Sequence, residues 1–202
     1  MRRWKGRCSA VLIEKQIRED WFKNHKAELK DLGEIQVLNW KKPGTGIYGV
    51  RYVFDGNMMY ISGDVGEAVF WLTWKANVHS FNNVSIEYFS EKLVAFSDDK
   101  WNFNSEKAVK RLREWVNELK ENQVSYDHDD MRELFEDARS CNRINEWYWV
   151  VSKNFDWISN LDPDYLEWFY DIGNEYPARL QSYLIGLKMA SEQLKAAEQI
   201  SA

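Results

Sequence analysis

Residues 58–71 constrain the fold of this chain more than any other stretch. Met58–Ser62 is a short apolar run that ends at Gly63, which is typical of a β-strand and its stop. Asp64 follows, a residue type that caps helices, and the apolar residues behind it favour a helix over Glu67–Lys75. The stretch therefore predicts a strand that ends at Gly63 and a helix that begins directly behind Asp64.

The preceding residues predict two more strands. Glu34–Trp40 and Ile47–Phe54 are rich in β-branched and aromatic residues, and the Pro- and Gly-containing turn 43–46 separates them. Residues 55–57 read Asp-Gly-Asn, which suits a tight hairpin into the next strand. We expect a three-stranded antiparallel sheet whose apolar face is covered by helices, one of them the amphipathic run Ser9–Leu32.

The rest of the chain has helical periodicity. Further helices are predicted at Val84–Phe96, Asn104–Glu121, Asp130–Ala138 and Ile144–Ile158, behind Asp162-Pro163, and from Pro177 onward. The fold class is thus α+β, with a mostly helical C-terminal half. We expect an α+β domain over residues 1–100 and a helical subdomain packed on it over residues 101–202, or one continuous domain. The Leu stripe of the last helix fits the protein's own core or a second subunit, which leaves the oligomeric state open.

The net charge of −5 is unevenly distributed along the 202 residues. Residues 1–42 carry eleven basic and six acidic side chains, whereas residues 122–177 carry four basic and thirteen acidic ones. One interpretation is a set of solvated helix faces. The other is a basic end that contacts nucleic acid, or an acidic face that occupies the nucleic-acid groove of a partner.

Two features of the sequence bear on localisation. It has no apolar run near the roughly 18 residues of a membrane span, and its basic start at residues 1–7 lacks the apolar core of a secretory signal. Cys8 and Cys141 are too few and too far apart for a disulfide framework or a Cys-based zinc site. We therefore expect a cytoplasmic protein without membrane contact.

The sequence lacks the Gly-rich phosphate loop, the nucleophile elbow and the common zinc signatures, so attention falls on Asp64 and Glu67. As structure, an Asp cap with Glu three residues later is a variant of the capping box. As chemistry, the two carboxylates can hold a divalent metal or act on a phosphodiester, with Asp55 and Glu87 the nearest further carboxylates. His79, in a predicted loop, is the best placed of the three histidines for catalysis.

The acidic run 127–130 also has two interpretations. Clustered carboxylate oxygens suit a hard cation, although the run lacks the Gly and terminal Glu of a calcium loop. Alternatively, Asp129 or Asp130 caps the helix that follows, where negative charge is favourable.

Residues 59–70 support a family resemblance, together with Ile47–Phe54, the turn 55–57 and Phe89–Leu93. These segments resemble a group of small proteins carried by phages, prophages and other mobile elements of Firmicutes. A strand ending in the pattern ISGD(L/V)GEAV(F/Y) recurs in that group, and this chain reads ISGDVGEAVF at the same place. Some members are anti-CRISPR proteins against type II-A systems, including a type associated with truncation of the effector's guide RNA.

The resemblance implies a phage-encoded inhibitor of a type II CRISPR RNA-guided nuclease, which binds the effector complex and its guide RNA inside the infected bacterium. One version is a metal-dependent ribonuclease that truncates the guide, with Asp64, Glu67 and His79 as catalytic residues and magnesium as the cofactor. The alternatives are a non-enzymatic binder whose acidic helical face mimics nucleic acid, and a mobile-element accessory protein unrelated to CRISPR.

Overall fold

The computed structural model describes residues 10–201, and the chain divides into two compact units. Unit 1 consists of residues 1–100 and 177–202, and unit 2 of Trp101–Tyr176. The last helix therefore belongs to unit 1, whereas its place in the sequence predicts it as part of the helical subdomain. The α+β class is confirmed, with an antiparallel sheet in the N-terminal half and a mostly helical C-terminal half.

The elements are numbered here along the chain. They are α1 (Ala10–Gln16), a π-helical turn (Ile17–Trp21), β1 (Lys26–Asp31), β2 (Ile35–Lys41), β3 (Val50–Asp55), β4 (Met58–Gly63), β5 (Ala68–Trp71), α2 (Ile86–Glu91), β6 (Leu93–Phe96), β7 (Asn102–Phe103), α3 (Ser105–Glu121), α4 (His128–Ser140), α5 (Ile144–Lys153), α6 (Phe155–Leu161), two 3₁₀ turns (Tyr165–Glu167 and Phe169–Asp171), β8 (Asn174–Glu175) and α7 (Ala178–Ser201).

The sheet of unit 1 has six antiparallel strands in chain order, β1 to β6, so the predicted width of three strands was wrong. The three predicted strands are confirmed as β2, β3 and β4. The helix predicted over Ser9–Leu32 is helical only to Trp21, and Ser9 itself lies outside the described residues. Its second half forms β1, because pairing with β2 from Lys26↔Lys41 to Asp31↔Gln36 satisfies the backbone along six residues.

The helix predicted over Val84–Phe96 is also divided between a helix and a strand. Ser85 caps α2 through its hydroxyl, which accepts a hydrogen bond from the Tyr88 N–H. The chain then turns at Lys92 and extends as β6, which pairs with β5 at the edge of the sheet. Packing of a half-buried strand therefore overrides the helical spacing.

The two faces of this sheet differ because side chains alternate along each strand. Residues of the inner face are buried: Leu38, Trp40, Val50, Tyr52, Phe54, Met59, Ile61, Ala68 and Phe70. Helix α7 covers this face closely, since a Cβ at Gly186 would lie 2.6 Å from the Tyr52 hydroxyl oxygen. The same hydroxyl donates a hydrogen bond of 3.0 Å to the Tyr183 carbonyl oxygen.

The opposite face, called the outer face below, carries the alternate residues of the strands. By register these are Lys26, Glu28, Lys30, Ile35, Val37, Asn39, Lys41, Arg51, Val53, Asp55, Met58, Tyr60, Ser62, Val69 and Trp71. Exposed members include Lys26, Lys30, Lys41, Arg51, Tyr60 and Trp71. This face therefore presents side chains to solvent, whereas the inner face holds the core of unit 1.

Unit 2 is a helical unit around an aromatic core. Trp115, Trp147 and Phe169 lie at its centre, and the Trp147 indole N–H donates to the Phe169 carbonyl oxygen at 2.9 Å. Its chain ends lie side by side, because β7 and β8 pair and the rings of Trp101 and Tyr176 stack at 4.4 Å. Unit 2 is therefore inserted into the chain of unit 1.

The helices predicted for unit 2 are largely confirmed, with changes at their ends. Asn104 caps α3, whereas Asp127 caps α4 in place of the predicted Asp129 or Asp130. Both of those residues donate backbone N–H groups to the Asp127 carboxylate. A capping role thus accounts for the acidic run 127–130.

Two side chains change the later helices of unit 2. The helix predicted over Ile144–Ile158 divides into α5 and α6 at Asn154, whose amide donates to the Val150 carbonyl oxygen and accepts from the Trp157 indole. The segment behind Asp162 forms a 3₁₀ turn in place of a helix, and the Asp162 carboxylate accepts the Asp164 N–H. Such local side-chain bonds compete with helix propagation.

Candidate functional site

The segment behind β4 is a turn between two strands, so the helix predicted over Glu67–Lys75 was wrong. Gly63 and Gly66 have φ angles of +142° and +120°, and the chain then enters β5 at Ala68. Positive φ angles favour glycine and reverse the chain where a helix would continue. The residues predicted to open a helix therefore connect β4 to β5.

Asp64 lies at the start of this turn and binds backbone from another loop. Its carboxylate accepts a hydrogen bond of 2.8 Å from the Tyr48 N–H, and its own N–H donates to the Gly49 carbonyl oxygen at 2.9 Å. Tyr48 has a φ of +54°, and its ring stacks on Trp21 at 4.9 Å. The side chain of Asp64 thus secures an uncommon backbone conformation in the loop before β3.

Glu67 lies on the exposed side of the same turn. Its backbone pairs with Ser97, since its N–H donates to the Ser97 hydroxyl at 2.9 Å and its carbonyl oxygen accepts the Ser97 N–H at 3.0 Å. Its carboxylate has no hydrogen bond or ion pair with any residue between 10 and 201. Glu67 is therefore fixed through its backbone, and its charge faces solvent.

His79 is half-buried and contacts a different element. Its Nδ1 lies 2.9 Å from the hydroxyl of Ser191, a fully buried residue of α7. The three predicted catalytic residues thus engage three different parts of unit 1: the loop before β3, Ser97 beyond β6, and α7. Each has its own partner, and none of the three bonds to another.

The further carboxylates proposed for a metal, Asp55 and Glu87, are exposed at the end of β3 and on α2. Within residues 10–201, no three His, Cys, Asp or Glu side chains form a group that could hold a metal ion. The predicted magnesium site therefore has no assembled ligand set in the described part of the chain.

Negative charge concentrates in unit 2. This unit carries seventeen Asp and Glu against nine Lys and Arg, a net charge of −8, while the remaining residues sum to +3. Ion pairs engage five of those carboxylates, and twelve have no Lys or Arg partner among the described residues. The exposed members of those twelve, called the acidic surface below, are Glu106, Glu121, Asp127, Asp130, Glu136, Glu146, Asp156, Asp164, Glu167 and Asp171.

A cavity of about 530 Å³ opens between α4 and α5 of this unit. Asp137, Cys141, Glu146 and Trp149 line it and are called the acidic socket below. The Trp149 side chain is 64% exposed. The Asp137 Oδ2 atom is buried without a hydrogen-bond partner, and the Lys153 Nζ lies 3.9 Å away.

The surroundings of the acidic socket change the pKa of its cysteine, Cys141. Burial, followed by the charges of Glu146 and Asp137, raises the pKa of the Cys141 thiol to about 11. A raised thiol pKa is the response expected in a negative potential, and it makes Cys141 unreactive at neutral pH. The carboxylates of Asp137 and Glu146 in the cavity wall therefore favour a cation there.

Sequence reasoning found the acidic residues of unit 2 but missed this cavity and the exposed Trp149. The sequence does contain a signal for it, since Trp149 follows Trp147 and Tyr148, and three successive aromatic residues cannot all face one side of a helix. Trp147 is buried in the core. Its neighbour two positions on must therefore point elsewhere.

Among the helices of residues 10–201, none combines the length and apolar composition that crossing a bilayer requires. Comparison with known proteins assigns no relative to the chain: no family model matches its sequence, and neither the curated proteins nor the solved structures contain a significant match.

Proposed function

We propose that this chain is a phage-encoded inhibitor of a type II CRISPR RNA-guided nuclease, and that it acts by binding the effector complex through unit 2. The resemblance of residues 59–70 to mobile-element proteins motivates the target. The observation that carries the mode of action is the acidic surface, where exposed carboxylates lack basic partners among the described residues.

A nuclease that holds nucleic acid does so in a positively charged channel. A surface of unpaired carboxylates is complementary to such a channel and accelerates the encounter with it. Because unit 2 carries −8 and the remainder of the chain +3, the attraction orients the protein with unit 2 toward the channel. The acidic helices then occupy space that nucleic acid needs.

The acidic socket supplies an anchor for this contact. An Arg side chain from the effector would bind in this socket, because guanidinium stacks on aromatic faces such as that of Trp149 and pairs with carboxylates such as those of Asp137 and Glu146. The chain's own Lys153 already lies 5.7 Å from the centre of the Trp149 ring. A desolvated aromatic anchor within a polar rim is the usual form of a binding hot spot.

The ribonuclease version of the proposal depends on Asp64, Glu67 and His79. The Asp64 carboxylate is engaged by the Tyr48 N–H, and the His79 ring by Ser191, so these groups have structural partners. Binding through unit 2 needs none of the three. We therefore place inhibition by binding first and keep guide truncation as an arm of the test.

The experiment measures cleavage of target DNA by a purified type II-A effector in magnesium across inhibitor concentrations, and follows the length of labelled guide RNA with and without magnesium. The test variant is Glu121→Lys/Glu136→Lys/Glu167→Lys, which reverses three members of the acidic surface. We expect it to need about tenfold more protein for the same inhibition, because complementary charge sets encounter rates.

The matched control is Glu34→Lys/Glu91→Lys/Glu198→Lys, which changes the net charge equally on exposed residues of unit 1. It should retain inhibition, since those residues lie outside unit 2. Unimpaired cleavage with the unaltered chain would refute inhibition itself. Equal losses in both triple variants would refute the role of unit 2, and magnesium-dependent shortening of the guide would establish the ribonuclease version.

A further inference from the structure

The outer face of unit 1 carries two exposed aromatic side chains on neighbouring strands. Tyr60 on β4 is 42% exposed, and Trp71 on β5 is 62% exposed. In the register, Tyr60 is opposite Val69 and Trp71 is opposite Met58, so the two aromatic residues are diagonal neighbours. Diagonal neighbours on one face lie about 7–8 Å apart, and neither ring contacts another ring among the described residues.

A polar hollow lies on the same face, beside Tyr60. Asn39, Lys41, Arg51 and Ser62 line a cavity of about 300 Å³, and the rest of its wall is formed by Val50, by glycine residues near the ends of β3 and β4, and by Asp64, whose carboxylate accepts the Tyr48 N–H. Arg51 has no acidic partner among the described residues, and the Nζ of Lys41 is 4.0 Å from the Glu28 carboxylate. Guanidinium, ammonium, amide and hydroxyl groups are the donors that bind phosphate oxygens.

The hollow and the aromatic pair follow one another across the sheet. Arg51 and Ser62 are register partners, and Tyr60 lies two residues from Ser62, or about 7 Å along β4. Trp71 on β5 is the diagonal neighbour of Tyr60. Phosphate-binding groups and two stacking surfaces therefore line up at similar spacings over β3, β4 and β5.

We propose that the outer face binds single-stranded nucleic acid, with a backbone phosphate in the hollow and successive bases stacked on Tyr60 and Trp71. The exposed cations Lys26 and Lys30 extend the positive side of the face along β1. An open antiparallel sheet with exposed aromatic residues offers base stacking that a duplex, whose bases are already stacked, cannot use.

Charge argues against a basic or purely apolar protein segment as the occupant. The outer face and the wall of the hollow together carry four Lys and Arg against three acidic residues, Glu28, Asp55 and Asp64. The proposal goes beyond inhibition by unit 2, because it concerns a different surface and requires no effector. Its success or failure is therefore separate from that of the proposed function.

The test uses the full chain and two fluorescein-labelled probes, a 15-nucleotide uridine RNA and the matching thymidine DNA, measured by fluorescence anisotropy at several salt concentrations. We expect both strands to bind and a duplex of equal length to compete poorly. Trp71→Ala should weaken binding about tenfold, within the range of one lost stacking contact, while Trp71→Phe retains most of the affinity.

The variant Lys41→Ala/Arg51→Ala should lower the slope of log affinity against log salt by about 0.7, because the hollow neutralises one phosphate and each neutralised phosphate on a single strand contributes about 0.7. Lys195→Ala is the control, an exposed cation on α7 away from the outer face. Far-UV circular dichroism verifies that each variant is folded.

Three results would overturn the proposal. They are no binding of either strand at low salt, an unchanged affinity in folded Trp71→Ala, or a salt slope that Lys195→Ala lowers as much as the double variant does. Binding of RNA but not DNA would support it and add recognition of the 2′-hydroxyl.

Discussion

The turn between β4 and β5 has a structural role that one glycine substitution tests. A Cβ at Gly63 would overlap the carbonyl oxygen of Gly49 and lie 3.2 Å from the Val50 Cα. All of these neighbours are backbone atoms, so they cannot rotate away. The φ of +142° adds strain for any L-residue. Gly63→Ala should therefore force β3 and β4 apart where Val50 and Gly63 pair.

The loss of stability expected for Gly63→Ala follows from the hydrogen bonds near Gly63. Separation removes the Asp64 N–H bond to Gly49 and the Tyr48 N–H bond to the Asp64 carboxylate, each worth about 1 kcal/mol. The unfavourable φ contributes about 1 kcal/mol more. The sum of about 3 kcal/mol corresponds to a fall in melting temperature of roughly 6–12 °C for a chain of this size.

The assay is thermal and urea unfolding followed by tryptophan fluorescence and circular dichroism. Gly33→Ala is the matched control, because Gly33 also has a positive φ, +86°, but a Cβ there would meet no atom within 4 Å. It should cost no more than about 1 kcal/mol, the strain alone. If Gly63→Ala and Gly33→Ala destabilise equally, the argument from backbone contact is wrong.

Three further predictions concern individual side chains. Asp64→Ala should lower the free energy of unfolding by about 1–2 kcal/mol, because the side chain loses its hydrogen bond to the Tyr48 N–H. Glu67→Ala should change the free energy of unfolding by less than about 0.5 kcal/mol, because only the backbone of Glu67 is bonded. Urea unfolding measures both values, and equal effects of the two variants would contradict this account. Burial holds the pKa of His25 in the folded protein below its ordinary value of 6.5, so the unfolded state binds the proton more readily. The contribution of neutral His25 to stability is therefore present above pH 6.5 and is lost as the pH falls from 6.5 toward the lower pKa of the folded state. Melting temperatures between pH 7.5 and 5.5 should decline more steeply in the unaltered chain than in His25→Phe. In a Cys8→Ser background, Cys141 should react with a thiol reagent at pH 7.5 only after denaturation, because its thiol is buried and its pKa is about 11, and rapid labelling of the folded protein would refute this.

Local sequence signals identified the central strands β2 to β4 and most helices of unit 2. They failed where a residue's partner is far away in sequence. Asp64 has the identity of a helix cap, but the N–H that it binds belongs to Tyr48, sixteen residues earlier. Nothing in the order of residues 58–71 distinguishes these two uses of one carboxylate.

Strand β1 was missed for a related reason. Its sequence, KAELKD, consists mostly of residues that favour helices, and only Ala27 and Leu29 alternate toward the interior. Pairing with β2 decides its conformation, and such pairing is a long-range property. The number of strands in the sheet therefore could not be predicted from local sequence patterns. The acidic socket could not be predicted either, because it forms only when α4 and α5 lie side by side.

The insertion of unit 2 between β6 and α7 has a consequence for biosynthesis. A ribosome completes β6 about 100 residues before it completes α7, which amounts to roughly 5–20 s of translation. During that interval the nascent sheet lacks the helix that covers its inner face, while unit 2, whose chain is continuous, has everything it needs to form. Unit 2 can therefore fold before unit 1 is complete. The inner face of the sheet, where Tyr52 lies, is covered only after α7 has been made late in translation.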